Sequence, residues 1–203
     1  MCLYSLYAFI GVTLVLWQNI VKNGYDFTGL WCDPHKNYID GLEYWSYTFY
    51  LSKFVEYIDT VFLLLKCKPM MPPGNSQYFL HVYHHAVTAA IVWSTIHWRI
   101  STGWSGPFTN SFVHILMYGY YFLAELKAVD RNLGGKFITP IQLVQFVFCV
   151  FSVVLECILP CGTDTTAVPF LIGNYAIFFL FFAKILLDKK QARTSSETQK
   201  KDQ

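Results

Sequence analysis

With 203 residues and a formal net charge of +2, the chain is 54% hydrophobic and 19% aromatic, and only 14% of it is charged. An average soluble domain carries about 25% charged residues, so this chain has too little polar surface to coat a water-soluble globule. Near-neutral charge also excludes nucleic acid as a partner, because phosphate binding needs a basic face.

Six apolar stretches approach the length needed to cross a hydrocarbon core of about 30 Å. They cover roughly 1–21, 43–65, 78–98, 108–126, 137–160 and 166–187. The first lacks a basic leading region and a small-residue cleavage site, so it reads as a helix and not as a signal peptide. Pro69, Pro72, Pro73 and Gly74 break the chain after the second stretch, and Gly103, Gly106 and Pro107 after the third. Asp130 to Gly135 separate the fourth from the fifth, and Pro160 to Thr166 the last pair. No internal repeat is apparent. The division expected is a membrane domain over 1–188 and a basic tail over 189–203, polar enough to be disordered.

The second stretch holds Lys53, Glu56 and Asp59. Steps of three place them within an arc of about 120° on a helix. Charge at membrane depth is costly, so this face must look into protein or water. Either an ion-pair ladder between helices or the wall of a reaction chamber satisfies that demand. The third stretch opens with His81, His84 and His85 on one helical face. Neutral imidazole serves as nucleophile, base or metal ligand. In the fourth, Asn110, His114, Tyr118 and Tyr121 form a helical stripe that can face those histidines. The two tyrosines also suit plain packing with wetted hydroxyls. In the fifth, Gln142 and Gln145 are polar donors for an interhelical hydrogen bond or for a substrate.

Lys66 and Lys68, then Lys127, Arg131 and Lys136, and the basic tail all fall on one side of six crossings. The opposite loops hold Lys22, Lys36 and Arg99, diluted by Asp26, Asp33, Asp40 and Asp164. The excess of Lys and Arg predicts a cytosolic tail and a cytosolic Met1. Cys32 and Cys161 then lie on the other side, where disulfides persist, and are expected to pair. The six cysteines contain no CxxC pair, so no zinc site is expected. An HxxHH run invites a di-iron reading, but six histidines in all, without further boxes, are too few for it.

KFVEYIDTVFLLLKCK, FLHVYHH, NSFVHILMYGYY and ITPIQLVQF resemble, in that order, the signatures of the ELO family, the elongases of very-long-chain fatty acids. The likeness covers about 20–190. HVYHH is closer to members acting on polyunsaturated chains than to those with an aromatic in place of Val82. The resemblance implies an endoplasmic reticulum membrane protein, all helical, with six helices in an inverted barrel around a narrow acyl tunnel. The family's additional first helix is expected to be missing here. Lys200 and Lys201 look like a dilysine retrieval signal on a cytosolic tail.

The implied reaction is a decarboxylating condensation of acyl-CoA with malonyl-CoA to 3-oxoacyl-CoA, without redox cofactor or metal. No glycine-rich dinucleotide fingerprint is present. Cys67, Cys149 and Cys157 lie outside the polar motifs, which leaves histidine as the nucleophile. His84 is expected to attack the thioester and carry the acyl group, with His114 assisting proton transfer or the oxyanion. His81 and His85 would orient His84 or hold the thioester oxygen. Lys53, Glu56, Asp59, Asn110, Tyr118 and Gln145 would support them, and Lys66, Lys68, Lys127 and Arg131 would meet CoA phosphates at the mouth. Membrane lipids, other enzymes of the elongation cycle and a second copy of the chain are the expected partners. A lipid transporter or binding protein, and a di-iron lipid oxygenase, are the rival readings.

Overall fold

A computed structural model describes residues 1–32, 41–65, 76–130, 134–159 and 164–201. They are helical throughout, with no strand among the described residues. Six long helices are α1 (Cys2–Lys22), α3 (Leu42–Leu65), α4 (Ser76–His97), α5 (Ser105–Glu125), α6 (Gly134–Ile158) and α7 (Val168–Lys201). A single turn, α2 (Thr28–Trp31), follows α1, and a 3₁₀ turn over Ser101–Trp104 leads into α5. Each long helix lies within a few residues of an expected apolar stretch. Three of them, α1, Lys136–Ile158 of α6 and Thr165–Asp188 around α7, are long and apolar enough to cross a membrane by length and composition. The other three are as long, but the polar residues described below dilute them. The chain is a multi-pass membrane protein.

Packing between the long helices runs α1–α5–α6–α7–α4–α3 and returns to α1, a closed circuit of neighbours. Helices α3 and α5, which both flank α1, also touch each other. Two buried clusters hold the circuit together. Leu80, Ile91, Phe146, Val153, Leu171 and Phe178 join α4, α6 and α7. Val12, Leu16, Leu30, Leu42 and Trp104 join α1, α2, the start of α3 and the start of α5. Large apolar side chains such as Trp17, Phe62, Phe122, Val144, Phe151 and Leu180 point outward instead. That distribution suits a lipid solvent, where outer surfaces need no polar cover.

The end of the bundle near residues 98–104 is tied by polar bonds. Glu156 of α6, 1% exposed, accepts from the backbone N–H of Ser101 (2.8 Å) and Thr102 (2.9 Å) and from Thr102 Oγ1 (2.6 Å). Those donors lie in the turn that leads into α5, and the carboxylate accepts there as a helix cap would. Trp104 Nε1 donates to the Leu30 carbonyl at 2.8 Å, which anchors α2. Beyond the membrane spans, Thr28 donates to Asp26 through its backbone N–H (2.8 Å) and hydroxyl (2.7 Å). Both bonds favour the ionised form and hold that carboxyl below its usual range.

Helices α4 and α5 end in the same device. Ile100 N–H reaches Thr95 O and Arg99 N–H reaches Ile96 O; Ala128 N–H reaches Leu123 O and Lys127 N–H reaches Ala124 O. These paired bonds need a left-handed residue that is usually glycine. Here it is Arg99 (φ 47°) and Lys127 (φ 59°).

Two expectations meet the structure differently. The tail after 188, expected to be disordered, continues α7 as helix to Lys201. Its Lys, Gln, Ala, Arg and Glu residues are good helix formers, and extending an existing helix needs no new nucleus. Cys32 is disulfide-bonded, whereas Cys2, Cys149 and Cys157 are free. Cys161, its expected partner, lies outside the described residues.

Candidate active site

The polar face of α3 meets polar faces on α4 and α5. Lys53, 1% exposed, donates from Nζ to Glu56 Oε1 at 2.7 Å and to Asn110 Oδ1 of α5 at 2.9 Å. Its ammonium also lies 4.1 Å from the centre of the Phe49 ring. Two acceptors and an aromatic face replace the water that a buried ammonium has lost. Glu56, 2% exposed, extends the contact to α5, where His114 Nδ1 lies 3.6 Å from the same Oε1. The Lys53–Glu56 step is an ion pair, and of the two readings left open for this face the ladder does not continue from it to Asp59. Asp59, the third charge on that face, instead accepts from Tyr118 Oη of α5 at 2.9 Å.

On α4 the three histidines gather against α3. His85 Nδ1 lies 2.9 Å from the Glu56 carbonyl oxygen, and a carbonyl can only accept, so Nδ1 carries the proton. Thr60 Oγ1 stands between two rings, 3.1 Å from His81 Nε2 and 3.3 Å from His85 Nδ1. Those rings are tilted by 31° to each other, 4.2 Å between centres. His84 points toward α7, 5.5 Å from the His85 ring and 5.2 Å from Phe178. It stands within electrostatic reach of Glu56, Lys53, His85 and His114. His114 is 7% exposed and His84 only partly buried, so a reactant has more access to the second.

The structure thus brings Lys53, Glu56, Asp59, His81, His84, His85, Asn110, His114 and Tyr118 into one connected cluster from three helices. Gln145 is buried in α6, but no hydrogen bond joins it to an imidazole among the described residues. Lys127 is exposed at the end of α5. Lys66, Lys68 and Arg131 lie outside the described residues. Sequence reasoning gave no role to Thr60, although it follows Asp59 directly. It also missed Tyr83, whose hydroxyl donates to Asn174 of α7 at 2.6 Å beside His84. Among the described residues, no three His, Cys, Asp or Glu side chains converge as a metal ion would require.

Residues 1–198 match the ELO (GNS1/SUR4) family. The chain is 33% identical over 195 residues to very long chain fatty acid elongase 5 of Tachysurus fulvidraco, covering 91% of this chain and 60% of that protein. It is 43% identical over 117 residues to very long chain fatty acid elongase 2 of Mus musculus, covering 56% and 38%. To fatty acid elongase sre1 of Dictyostelium discoideum it is 35% identical over 140 residues, covering 68% and 48%. The chain thus spans 38% to 60% of the length of these curated relatives. No solved structure matches it significantly.

Proposed function

The chain belongs to the ELO family, and from that premise we propose that it elongates fatty acids by condensing long-chain acyl-CoA with malonyl-CoA. The observation that carries this reading is the cluster itself. Imidazoles of α4 and α5 stand around one buried Lys53–Glu56 pair, in a helix bundle whose outer surface is apolar.

His84 is the nucleophile in this reading. Its ring nitrogen attacks the thioester carbonyl of acyl-CoA, the C–S bond breaks, and CoA leaves with the proton that the ring gives up. Malonyl-CoA then loses its carboxylate as CO₂. The resulting enolate attacks the acyl carbon, the N–acyl bond breaks, and the ring nitrogen takes up one proton from solvent, the proton the overall reaction consumes, so that 3-oxoacyl-CoA departs from a neutral His84. No electron is gained or lost by the pair of substrates, so the chemistry calls for no nicotinamide. His114, held against Glu56, donates to the oxyanion or moves the proton. An acyl-imidazole hydrolyses in water, so the six helices are read as a barrel whose interior excludes it. Lys127, with Lys66, Lys68 and Arg131, meets CoA phosphates at a cytosolic mouth. The enzyme then sits in the endoplasmic reticulum membrane with its C-terminus in the cytosol, beside the other enzymes of the elongation cycle. Preference for polyunsaturated chains and a homodimer complete the proposal.

Intact mass after incubation with acyl-CoA alone tests the covalent step. The wild-type protein is expected to gain one acyl group and His84→Ala none. An unchanged adduct in His84→Ala would move the nucleophile elsewhere. Absence of any adduct with acyl-CoA would favour a protein that only binds or carries lipid.

A further inference from the structure

Thr60 is not part of the reaction derived above, yet it is the one hydroxyl seen to touch two of the four clustered imidazoles. Its hydrogen bonds have a determinate direction. His85 Nδ1 donates to the Glu56 carbonyl, so the same N–H can only be offered to Thr60 Oγ1, which accepts. The Thr60 proton must then go elsewhere. The acceptor found within reach of it is His81 Nε2, at 3.1 Å. A nitrogen that accepts bears no proton, so neutral His81 carries its proton on Nδ1. One hydroxyl thereby passes the tautomer that the Glu56 carbonyl fixes at His85 on to His81.

We infer that Thr60 is a positioning residue that holds His81 in the Nδ1–H tautomer, taking its own orientation from His85, whose Nδ1–H tautomer the Glu56 carbonyl fixes. At His85 the carbonyl sets the pattern. With Nδ1 committed to the Glu56 carbonyl and Thr60, its Nε2 keeps a lone pair free to accept a proton or a hydrogen bond. The His81 ring, tilted with its centre 4.2 Å away, is held by the same hydroxyl. Serine offers the same donor and acceptor. Valine matches threonine in shape and offers neither. The catalytic consequence rests on the elongase reading; the tautomers rest on the geometry alone.

Ring-nitrogen NMR on histidine-labelled protein in lipid bilayers at neutral pH separates the two tautomers directly. His81→Gln and His85→Gln assign the signals. Wild type and Thr60→Ser are expected to show Nδ1–H at both rings. Thr60→Val is expected to release His81 to the Nε2–H form while His85 stays on the Glu56 carbonyl. In the elongation assay, Thr60→Val should lose about ten-fold in kcat, the scale of a misplaced catalytic group. KM should stay within about two-fold, and Thr60→Ser should restore kcat. An Nε2–H signal for His81 in the wild type, or tautomers unmoved by Thr60→Val, would overturn the assignment. A tautomer switch with full turnover would overturn the positioning role. Wild-type protein with the expected tautomers but no elongation would count against the elongase reading and leave the assignment standing.

Discussion

Lys53 and Glu56 show how much a single buried charge constrains its surroundings. Each is almost fully enclosed, and the pair is completed by Asn110, His114 and the Phe49 ring. Breaking such a pair leaves an uncompensated charge and costs about 3–5 kcal/mol, whereas replacing both partners by apolar groups is often neutral. Glu56→Gln is therefore expected to destabilise the protein by about that amount in a reversible unfolding titration. The double change Lys53→Met with Glu56→Leu should recover most of the stability and none of the elongation activity. If the double variant were active, the pair would be scaffolding alone. Helical spacing made the shared face of Lys53, Glu56 and Asp59 legible, because three-residue steps are a property of the backbone. It could not show that Asp59 bonds to Tyr118 on another helix. Nor could it show that a main-chain carbonyl, at Glu56, would fix the proton of His85. Such bonds depend on where helices meet, and the sequence carries no direct signal of that.

The ends of the helices carry the next layer of information. Lys127 occupies a left-handed position that costs a residue with a Cβ roughly 1–2 kcal/mol relative to glycine. A strained, exposed lysine at one end of the bundle fits the proposed contact with CoA phosphate. Lys127→Gly should raise stability by about 1 kcal/mol and raise KM for both CoA substrates. Equal KM in variant and wild type would remove Lys127 from the mouth. At the opposite end of α5, Glu156 accepts from three donors at once. Glu156→Ala should cost about 3 kcal/mol, read by thermal unfolding, because buried N–H groups are left unpaired. Neither device was legible beforehand. Glu156 lies in an apolar run, and its sequence position gives no sign of the donors at Ser101 and Thr102. Arg99 and Lys127 give no sign in the sequence of an unusual φ. The helix that α7 continues past 188 was illegible for a related reason: composition measures whether a segment can bury a core, not whether it can prolong a helix already formed.

For the molecule as a whole, six apolar stretches anticipated six long helices, because hydropathy reports directly on the solvent around them. The three stretches that fall short as spans by composition include those that supply the polar cluster. Weak membrane character and the candidate site thus have one cause. What hydropathy could not convey is the circuit α1–α5–α6–α7–α4–α3, in which neighbours in space are often distant in sequence. That circuit sets imidazoles of α4 and α5 against α3, where His85 meets the Glu56 carbonyl and His114 the Glu56 carboxylate. The most direct test of the account follows the carboxylate of malonyl-CoA. Purified protein in lipid, given carboxyl-labelled malonyl-CoA, should release labelled CO₂ only when a long-chain acyl-CoA is also present, and not at all as His84→Ala. Binding of both substrates without acyl-dependent CO₂ release, or full release by His84→Ala, would contradict it.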